Sequence, residues 1–225
     1  MKKVLNSKIY VEGDARGRAL DGAEAVIRDR LEGLDVEYEV RLREDDRIEV
    51  EGIGEDIEMA LSLLADEFGE FETDPEKGET YVGTLESWDE DGFTVDIGRE
   101  VLVPAESLDA LGAGTPSQIR ERYGLVQHTP LEVVWEDTPH LSDDQADELW
   151  DWQKGNGRIN VNSSTRGEVR ATVNRAGHAQ DIVTVERLGF LEQSIICKQD
   201  TDPPGLLAEI GKYIQGEMKC VVASS

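Results

Sequence analysis

The first 70 residues combine the two periodicities that hydrophobic residues follow in strands and helices. A short apolar strand is predicted at Ile9-Tyr10-Val11, ahead of a helix whose apolar face carries Leu20, Ala23, Ile27 and Leu31. Strict alternation over residues 36–43 and 48–51 predicts a hairpin. A second helix follows, with apolar positions at Ile57, Leu61, Leu64 and Phe68, and ends near Gly69.

This order of elements, β-α-β-β-α with a further strand near Phe71, predicts a ferredoxin-like α/β domain over residues 1–72. The fold hosts many unrelated functions, so the topology alone names none of them. Residues 72–78 are polar and contain Pro75 and Gly78, which is typical of a linker. A β-rich region begins after them.

An internal repeat organises the β-rich region. Residues 116–126 and 131–134 align without a gap with residues 203–213 and 218–221, and each copy predicts a short helix, a glycine stop and a closing strand. Further upstream, the segments that begin at Gly83 and Gly167 align once a small gap is allowed. The chain is therefore expected to be α+β, with two β-barrel-like modules at 79–135 and 166–222. A linker helix and strand occupy 136–165, where Ser142 and Gln145 are spaced as a capping box.

Each module opens with Gly-x-apolar, turns at a glycine and reaches Asp-Ile before its short helix. In the first copy these positions are Gly83-Thr-Leu85, Gly92 and Asp96-Ile97. The pattern resembles OB-fold RNA-binding domains of the ribosomal-protein S-one type, which present aromatic and basic residues to single-stranded RNA. A small barrel with no nucleic-acid role explains the same pattern about as well.

The chain is strongly acidic, with 49 Asp and Glu against 23 Lys and Arg and a net charge of −26. The acidic residues alternate with regular apolar periodicity, which indicates a folded protein rather than an acidic tail. Such self-repulsion is tolerable at molar salt, where the Debye length is about 3 Å, and the composition resembles that of haloarchaeal proteins. The chain has neither a long apolar run nor a signal peptide, so a cytoplasmic location without membrane contact is expected.

The charge is unevenly distributed along the chain. Residues 79–135 contain eleven acidic and three basic side chains, whereas residues 166–222 contain eight and seven. The second module is therefore the better candidate for contact with phosphate. Alternation over 166–174 predicts a strand that exposes its arginines, and the predicted RNA-binding residues are Arg166, Arg170, Arg175, His178 and Arg187. The competing interpretation is that these arginines only balance neighbouring glutamates on a solvated strand.

Other chemistry is sparse in this sequence. Tyr81 and Trp88 are possible stacking residues for bases, whereas Phe93 alternates with Val95 and belongs to a core. No metal-ligand, nucleophile or phosphate-loop motif is present, so no catalytic residue, metal or cofactor is expected. Cys197 and Cys220 lie in apolar runs typical of buried thiols.

Four short segments have a recognisable pattern, residues 48–52 (IEVEG), 95–98 (VDIG), 181–189 (DIVTVERLG) and 201–205 (TDPPG). Through them the chain resembles, over its whole length, the archaeal domain-of-unknown-function family 2110. The resemblance implies an archaeal source and offers no activity.

The sequence thus favours a non-catalytic RNA-binding accessory protein, associated with the ribosome or with ribosomal RNA. RNA or a ribonucleoprotein would contact the second module, and a protein partner would contact residues 1–135. Two alternatives stay open. One is a protein-protein interaction adaptor without nucleic-acid contact, and the other is a small-molecule-sensing regulatory protein that uses the N-terminal domain.

Overall fold

The computed structural model describes residues 1–222 of the chain. The protein is α+β and contains three mostly antiparallel sheets, each with a hydrophobic core on one side. Within the described range no helix is long and apolar enough to cross a membrane.

The N-terminal third contains the elements in the predicted order. They are β1 (Lys2–Lys8), α1 (Asp14–Arg30), β2 (Glu37–Leu42), β3 (Arg47–Ile53) and α2 (Ile57–Phe68). The three strands form an antiparallel sheet in the order β1-β3-β2, and a single bridge joins Leu5 to Glu70. All four apolar positions predicted for α2 are buried.

The first strand begins earlier than predicted. The apolar pattern did not indicate it, because two of its buried side chains, Asn6 and Ser7, are polar. Asn6 donates to the Asp96 carbonyl at 2.6 Å, and Ser7 donates to the Phe68 carbonyl at 3.0 Å. Buried polar groups with partners are tolerated in a strand. The predicted strand at Ile9-Tyr10-Val11 is wrong, because these residues follow β1 in an irregular segment.

The middle third contains a five-stranded sheet that curls into a half-barrel. Its elements are β4 (Thr80–Trp88), β5 (Gly92–Asp96), β6 (Glu100–Pro104), a 3-10 helix (Ala105–Leu111), α3 (Pro116–Arg122), β7 (Pro130–Val134), β8 (His140–Leu141) and α4 (Asp143–Trp152). The strand order is β6-β5-β4-β7-β8. Phe93 is fully buried in its core, as predicted.

Ser142 is the N-cap residue of the helix α4, as the sequence predicts. The Ser142 hydroxyl accepts from the Gln145 amide at 3.1 Å. The Gln145 side chain does not complete a capping box, because its carbonyl accepts from the Glu132 amide of β7 at 2.9 Å. Gln145 therefore ties the helix to the half-barrel, and Trp152 at the other end of α4 is buried in the same core.

The C-terminal third forms a four-stranded antiparallel sheet with two helices. It consists of β9 (Arg158–Val161), α5 (Arg166–Arg175), β10 (Ile182–Arg187), β11 (Gln193–Cys197), α6 (Pro203–Ile210), a 3-10 helix (Gly211–Tyr213) and β12 (Met218–Val221). The strand order is β10-β11-β9-β12. The strand β9, which the sequence pattern placed in a linker, is thus an interior strand of this sheet.

The predicted strand over 166–174 is wrong, because these residues form the helix α5. Thr165 and Glu168 make a reciprocal capping box, and Val169 and Val173 lie one turn apart with both side chains fully buried. The apparent alternation depended on counting Gly167 and Ala171 as apolar, but both are exposed. With a helix in place of its first strand, this region forms a sheet covered by two helices instead of a second barrel.

The internal repeat is confirmed only in its helix-glycine-strand part, which corresponds to α3 with β7 and α6 with β12. The upstream halves differ, since Gly83 lies in β4 and Gly167 lies in α5. A different correspondence connects the outer thirds of the chain. Both contain the order β-α-β-β-α, and the strand order β1-β3-β2 matches β9-β11-β10.

The turn between β10 and β11 fastens the C-terminal third to the N-terminal third. Phe190 and Leu191 at this turn are buried in the N-terminal core, and the Phe190 ring stacks on Phe68 with 4.1 Å between centroids.

The two free thiols lie on different strands of the C-terminal sheet. Cys197 on β11 and Cys220 on β12 are separated by β9, so about two strand spacings of ~4.8 Å keep them too far apart for a disulfide.

Candidate functional site

The predicted RNA-binding arginines of α5 do not share one surface. Arg166 and Arg170 are four residues apart and exposed, so they lie on the same side of the helix. Arg175 is also exposed, but its position about half a turn out of phase with Arg166 places it on the opposite side. The Arg166 Nε atom donates to the Val185 carbonyl at 2.6 Å, which fixes its guanidinium beside β10.

His178 lies between two carboxylates near the end of α5. Its Nδ1 is 2.6 Å from Asp181 Oδ2, and its Nε2 is 2.7 Å from Glu209 Oε2. These hydrogen bonds raise the pKa of His178. Since both ring nitrogens already have partners, a phosphate could be bound by His178 only by displacing one of the carboxylates.

Arg187, at the end of β10, is half-buried and has weak pairing. Its Nη1 lies 4.0 Å from Glu67 Oε1, and Glu67 is already paired with Arg30 at 2.5 Å. Burial is the largest influence on Arg187 and lowers its pKa, and repulsion from Arg166 and Arg30 acts in the same direction against the attraction of Glu67. The structure therefore brings Arg166 and Arg187 close together.

The predicted stacking residues belong to the half-barrel and are partly covered. The Arg120 guanidinium lies 3.6 Å from the centroid of the Trp88 ring, and Arg120 also forms an ion pair with Glu217. Trp88 therefore has one ring face occupied by an internal cation. The Tyr81 hydroxyl accepts from the Glu76 amide at 2.8 Å, which anchors the ring beside the linker.

Ion pairing differs strongly between the two parts of the chain. Among residues 1–150, eleven of the fourteen Lys and Arg side chains lie within 4.0 Å of a carboxylate in the described structure. After residue 150 only three of nine do so. The other six are Arg158, Arg166, Arg170, Arg175, Lys198 and Lys212. Six of the nine Lys and Arg side chains without a carboxylate partner in the described structure thus lie in the C-terminal third.

A second cluster, which sequence reasoning missed, is buried where the three sheets meet. The Tyr10 hydroxyl donates to Glu192 and accepts from the Ser163 amide at 3.0 Å. Glu192 is 4% exposed, and burial raises its pKa to about 7 despite the hydrogen bond from Tyr10 and the attraction of His128. Burial also raises the pKa of Tyr10, and the neighbouring Glu192 carboxylate adds to that increase. We call Tyr10, Glu192 and His128, with Glu86, Lys8 and Asp96, the junction cluster.

His128 connects the Glu192 carboxyl and Tyr10 to the half-barrel. Its ring packs against the Tyr10 ring at a tilt of 32°, with 3.8 Å between centroids, and its Nδ1 lies 3.4 Å from Glu86 Oε2. Burial alone would raise the pKa of Glu86, but the interaction with His128, the hydrogen bond from Thr84 and the attraction of Lys8 outweigh it and lower the pKa to about 2. Glu86 is therefore charged while Glu192 is protonated below neutral pH.

The N-terminal sheet provides the cations of the junction cluster and its surroundings. Lys8 Nζ is 2.5 Å from Asp96 Oδ2, and Arg47 Nη2 reaches the same oxygen at 2.7 Å. The Arg47 guanidinium also lies 4.1 Å from the Phe71 ring centroid. Charges that are paired and hydrogen-bonded in this way can be buried between domains, although removal of one partner is costly.

Family models match the chain in three adjacent segments. The N-terminal domain of DUF2110 matches residues 2–74, the central domain 75–153 and the C-terminal domain 156–222. The chain belongs to the DUF2110 family. The three matched segments each contain one of the three sheets of this DUF2110 chain. No curated protein matches it.

The junction cluster of the DUF2110 chain is better suited to fastening domains than to catalysis. A carboxyl whose pKa is near 7 beside a tyrosine and a histidine has the composition of an acid-base site. Glu192 is nearly inaccessible, however, so a substrate could reach it only if the domains moved apart. Among the described residues, no group of three or more His, Cys, Asp and Glu side chains could hold a metal ion.

One signal in the sequence could have pointed to this cluster. Glu192 is the single charged residue in the run Gly189-Phe-Leu-Glu-Gln-Ser-Ile-Ile196, which is otherwise uncharged and mostly apolar. A charged residue in such a run is expected to be buried with a partner. The partner itself could not be predicted, because Tyr10 lies 182 positions away.

Proposed function

We propose that this protein binds RNA through its C-terminal domain, as a non-catalytic accessory protein of the ribosome or of ribosomal RNA. The observation that supports the proposal is the group of six C-terminal cations without a carboxylate partner within the described structure. In a chain of net charge −26, cations left unpaired are the ones available to neutralise phosphate. The paired cations of the first 150 residues stabilise the protein itself.

The other two domains would face protein under this proposal. The central domain, with its strand order β6-β5-β4-β7-β8, would be an OB-like barrel, and the N-terminal domain would be ferredoxin-like. The loop between β4 and β5 carries Asp89-Glu90-Asp91, and the loop after β7 carries Glu136-Asp137. Because OB-folds bind ligands with these loops, acidic loops favour a basic protein segment over RNA.

A halophilic archaeal cytoplasm would be the working environment. At molar salt the screening length is about 3 Å, so RNA binding cannot depend on long-range attraction. Arginine retains two short-range contributions, bidentate hydrogen bonding to phosphate and stacking on bases. Three of the six unpaired cations are exposed arginines, Arg166, Arg170 and Arg175, which fits this requirement, whereas Arg158 is half-buried against Trp152.

The test compares two arginines that are both exposed and without an ion pair in the described structure. Arg170→Gln changes α5, and the control Arg28→Gln changes α1 of the N-terminal domain. Binding of a single-stranded RNA is measured by fluorescence anisotropy over a series of potassium chloride concentrations. The slope of log K against log salt is negative, and loss of one phosphate contact should make it less steep by about 0.7 for Arg170→Gln and leave it unchanged for Arg28→Gln. Equal slopes in both variants, or no binding by the native chain, would refute the proposal.

A protein-interaction adaptor is the second candidate, and one surface favours it. Met59 and Leu63 are four residues apart on the outer side of α2 and are 56% and 45% exposed. Apolar side chains in this arrangement are typical of a small contact surface. If affinity purification after nuclease treatment recovers a protein partner, and Met59→Ser/Leu63→Ser releases it while RNA binding is absent, the adaptor explanation replaces RNA binding.

A further inference from the structure

A cleft of about 240 Å³ separates α1 from the beginning of α5. One wall is the small-residue side of α1, formed by Gly22, Ala25 and Val26, and Asp29 lies at its end. The opposite wall contains Arg166 and Arg187, together with Phe190. Pockets for drug-sized ligands begin at about 300 Å³, so this cleft has room for a small group rather than a large ligand.

Arg187 has hydrogen-bonding capacity that the protein does not use. Among residues 1–222 it has no hydrogen-bond acceptor, and its nearest carboxylate, Glu67, is 4.0 Å away. Glu67 is occupied by Arg30, which bonds both carboxylate oxygens at 2.5 and 2.8 Å. A guanidinium carries five donors, and those of Arg187 that the protein leaves free reach solvent, where water or an anion can accept from them.

Arg166 is positioned to act with Arg187. Its Nε donates to the Val185 carbonyl, two residues before Arg187 on the same strand, and its two Nη atoms have no partner in the described structure. The two guanidinium groups repel each other, which contributes to the lowered pKa of Arg187. An anion between them would relieve that repulsion.

We propose that this cleft binds one phosphate group, held between Arg166 and Arg187. Asp29 sits on the same cleft and opposes the anion, so it limits the affinity of the site. Two sources of phosphate fit this cleft, a free or terminal phosphate and the phosphate of an RNA backbone. This inference goes beyond RNA binding, because the site can be tested with inorganic phosphate alone.

The experiment is isothermal titration calorimetry of the full chain with inorganic phosphate, at constant potassium chloride. The native chain should bind one phosphate, and Arg187→Gln should weaken binding by roughly tenfold or more. Asp29→Asn should strengthen binding, because it removes a repulsive charge. The control Arg99→Gln, an exposed arginine in the turn between β5 and β6 of the central domain, should leave it unchanged. The opposite response of Asp29→Asn keeps the test decisive even if Arg187→Gln fails to fold.

Short RNAs with and without a 5′-phosphate distinguish the sources. Tighter binding of the phosphorylated RNA that disappears in Arg187→Gln identifies a terminal phosphate as the occupant, whereas equal binding that weakens in Arg187→Gln identifies the backbone. The inference is overturned if the native chain shows no saturable binding of phosphate, or if Arg187→Gln and Asp29→Asn both bind it like the native chain. In that case the RNA proposal is still decided separately, by the salt dependence of RNA binding in Arg170→Gln.

Discussion

Replacement of Glu192 by glutamine should change how the stability of this DUF2110 protein depends on pH. The Glu192 carboxyl is 4% exposed and its pKa is raised from its usual 4.5 to about 7. The folded chain therefore holds a proton on Glu192 at pH values where the unfolded chain has lost it. Stability from this group is complete below about 4.5 and falls as the pH rises from 4.5 to 7, because the unfolded state binds fewer protons in that window.

The size of the effect follows from the two pKa values. Each pH unit between them corresponds to about 1.4 kcal/mol, so the complete window amounts to about 3 kcal/mol. Glutamine can still accept from the Tyr10 hydroxyl through its carbonyl, but its amide cannot accept from the Leu191 amide, which now lies 3.3 Å from Glu192 Oε2. That loss costs about 1 kcal/mol at all pH values. Glu192→Gln should therefore be more stable than the native chain by about 2 kcal/mol above pH 7 and slightly less stable below pH 4.5.

Urea-induced unfolding, followed by tryptophan fluorescence at several pH values and constant ionic strength, measures this difference. Glu192→Asp is unsuitable as a control, because it shifts the carboxyl away from Tyr10. Glu24→Gln is suitable, since Glu24 is an exposed carboxylate of α1 without an ion pair in the described structure. A free-energy difference between Glu192→Gln and the native chain that stays constant across pH 4.5–7 would show that the carboxyl is not protonated in the fold.

Two further results are expected. Glu86 has a pKa lowered to about 2, so it stabilises the fold above pH 4.5, and this contribution is lost as the pH falls toward 2. Glu86→Gln should therefore reduce the steepness of acid unfolding below pH 4.5. An unchanged acid profile would contradict the assigned pKa. Phe190→Ala removes the ring stacked on Phe68 from the N-terminal core and should cost about 3–5 kcal/mol. Limited proteolysis should then cut first near the turn between β10 and β11, whereas a cleavage pattern identical to that of the native chain would argue against the turn as a fastening element.

The parts of the fold that sequence reasoning predicted correctly are those whose signal is local. The helix α2 follows from four apolar positions on one face, and the start of α4 follows from Ser142 as its cap. Neither depends on distant residues. The helix α5 was assigned wrongly because two local signals conflict, the alternation that includes Gly167 and Ala171 and the capping box of Thr165 with Glu168. The capping box prevails because Val169 and Val173 are buried together only on a helix.

The features that could not be predicted depend on contacts between domains. Asn6 and Ser7 are typical of an exposed strand end, yet they are buried, because Asn6 is bonded to the half-barrel. Arg187 was selected from the sequence together with the other C-terminal arginines, but its proximity to α1 follows from the insertion of Phe190 into the N-terminal core. Contacts between residues so far apart in the chain leave no periodic pattern in the sequence.

The central claim, that RNA contacts the C-terminal domain, is tested most directly by ultraviolet crosslinking of bound RNA followed by peptide mass spectrometry. The account predicts crosslinked peptides within residues 156–222, concentrated on α5 and near Arg187, and fewer of them in Arg170→Gln. Crosslinks confined to residues 75–153, or a native chain that yields none at an RNA concentration that saturates binding, would contradict it.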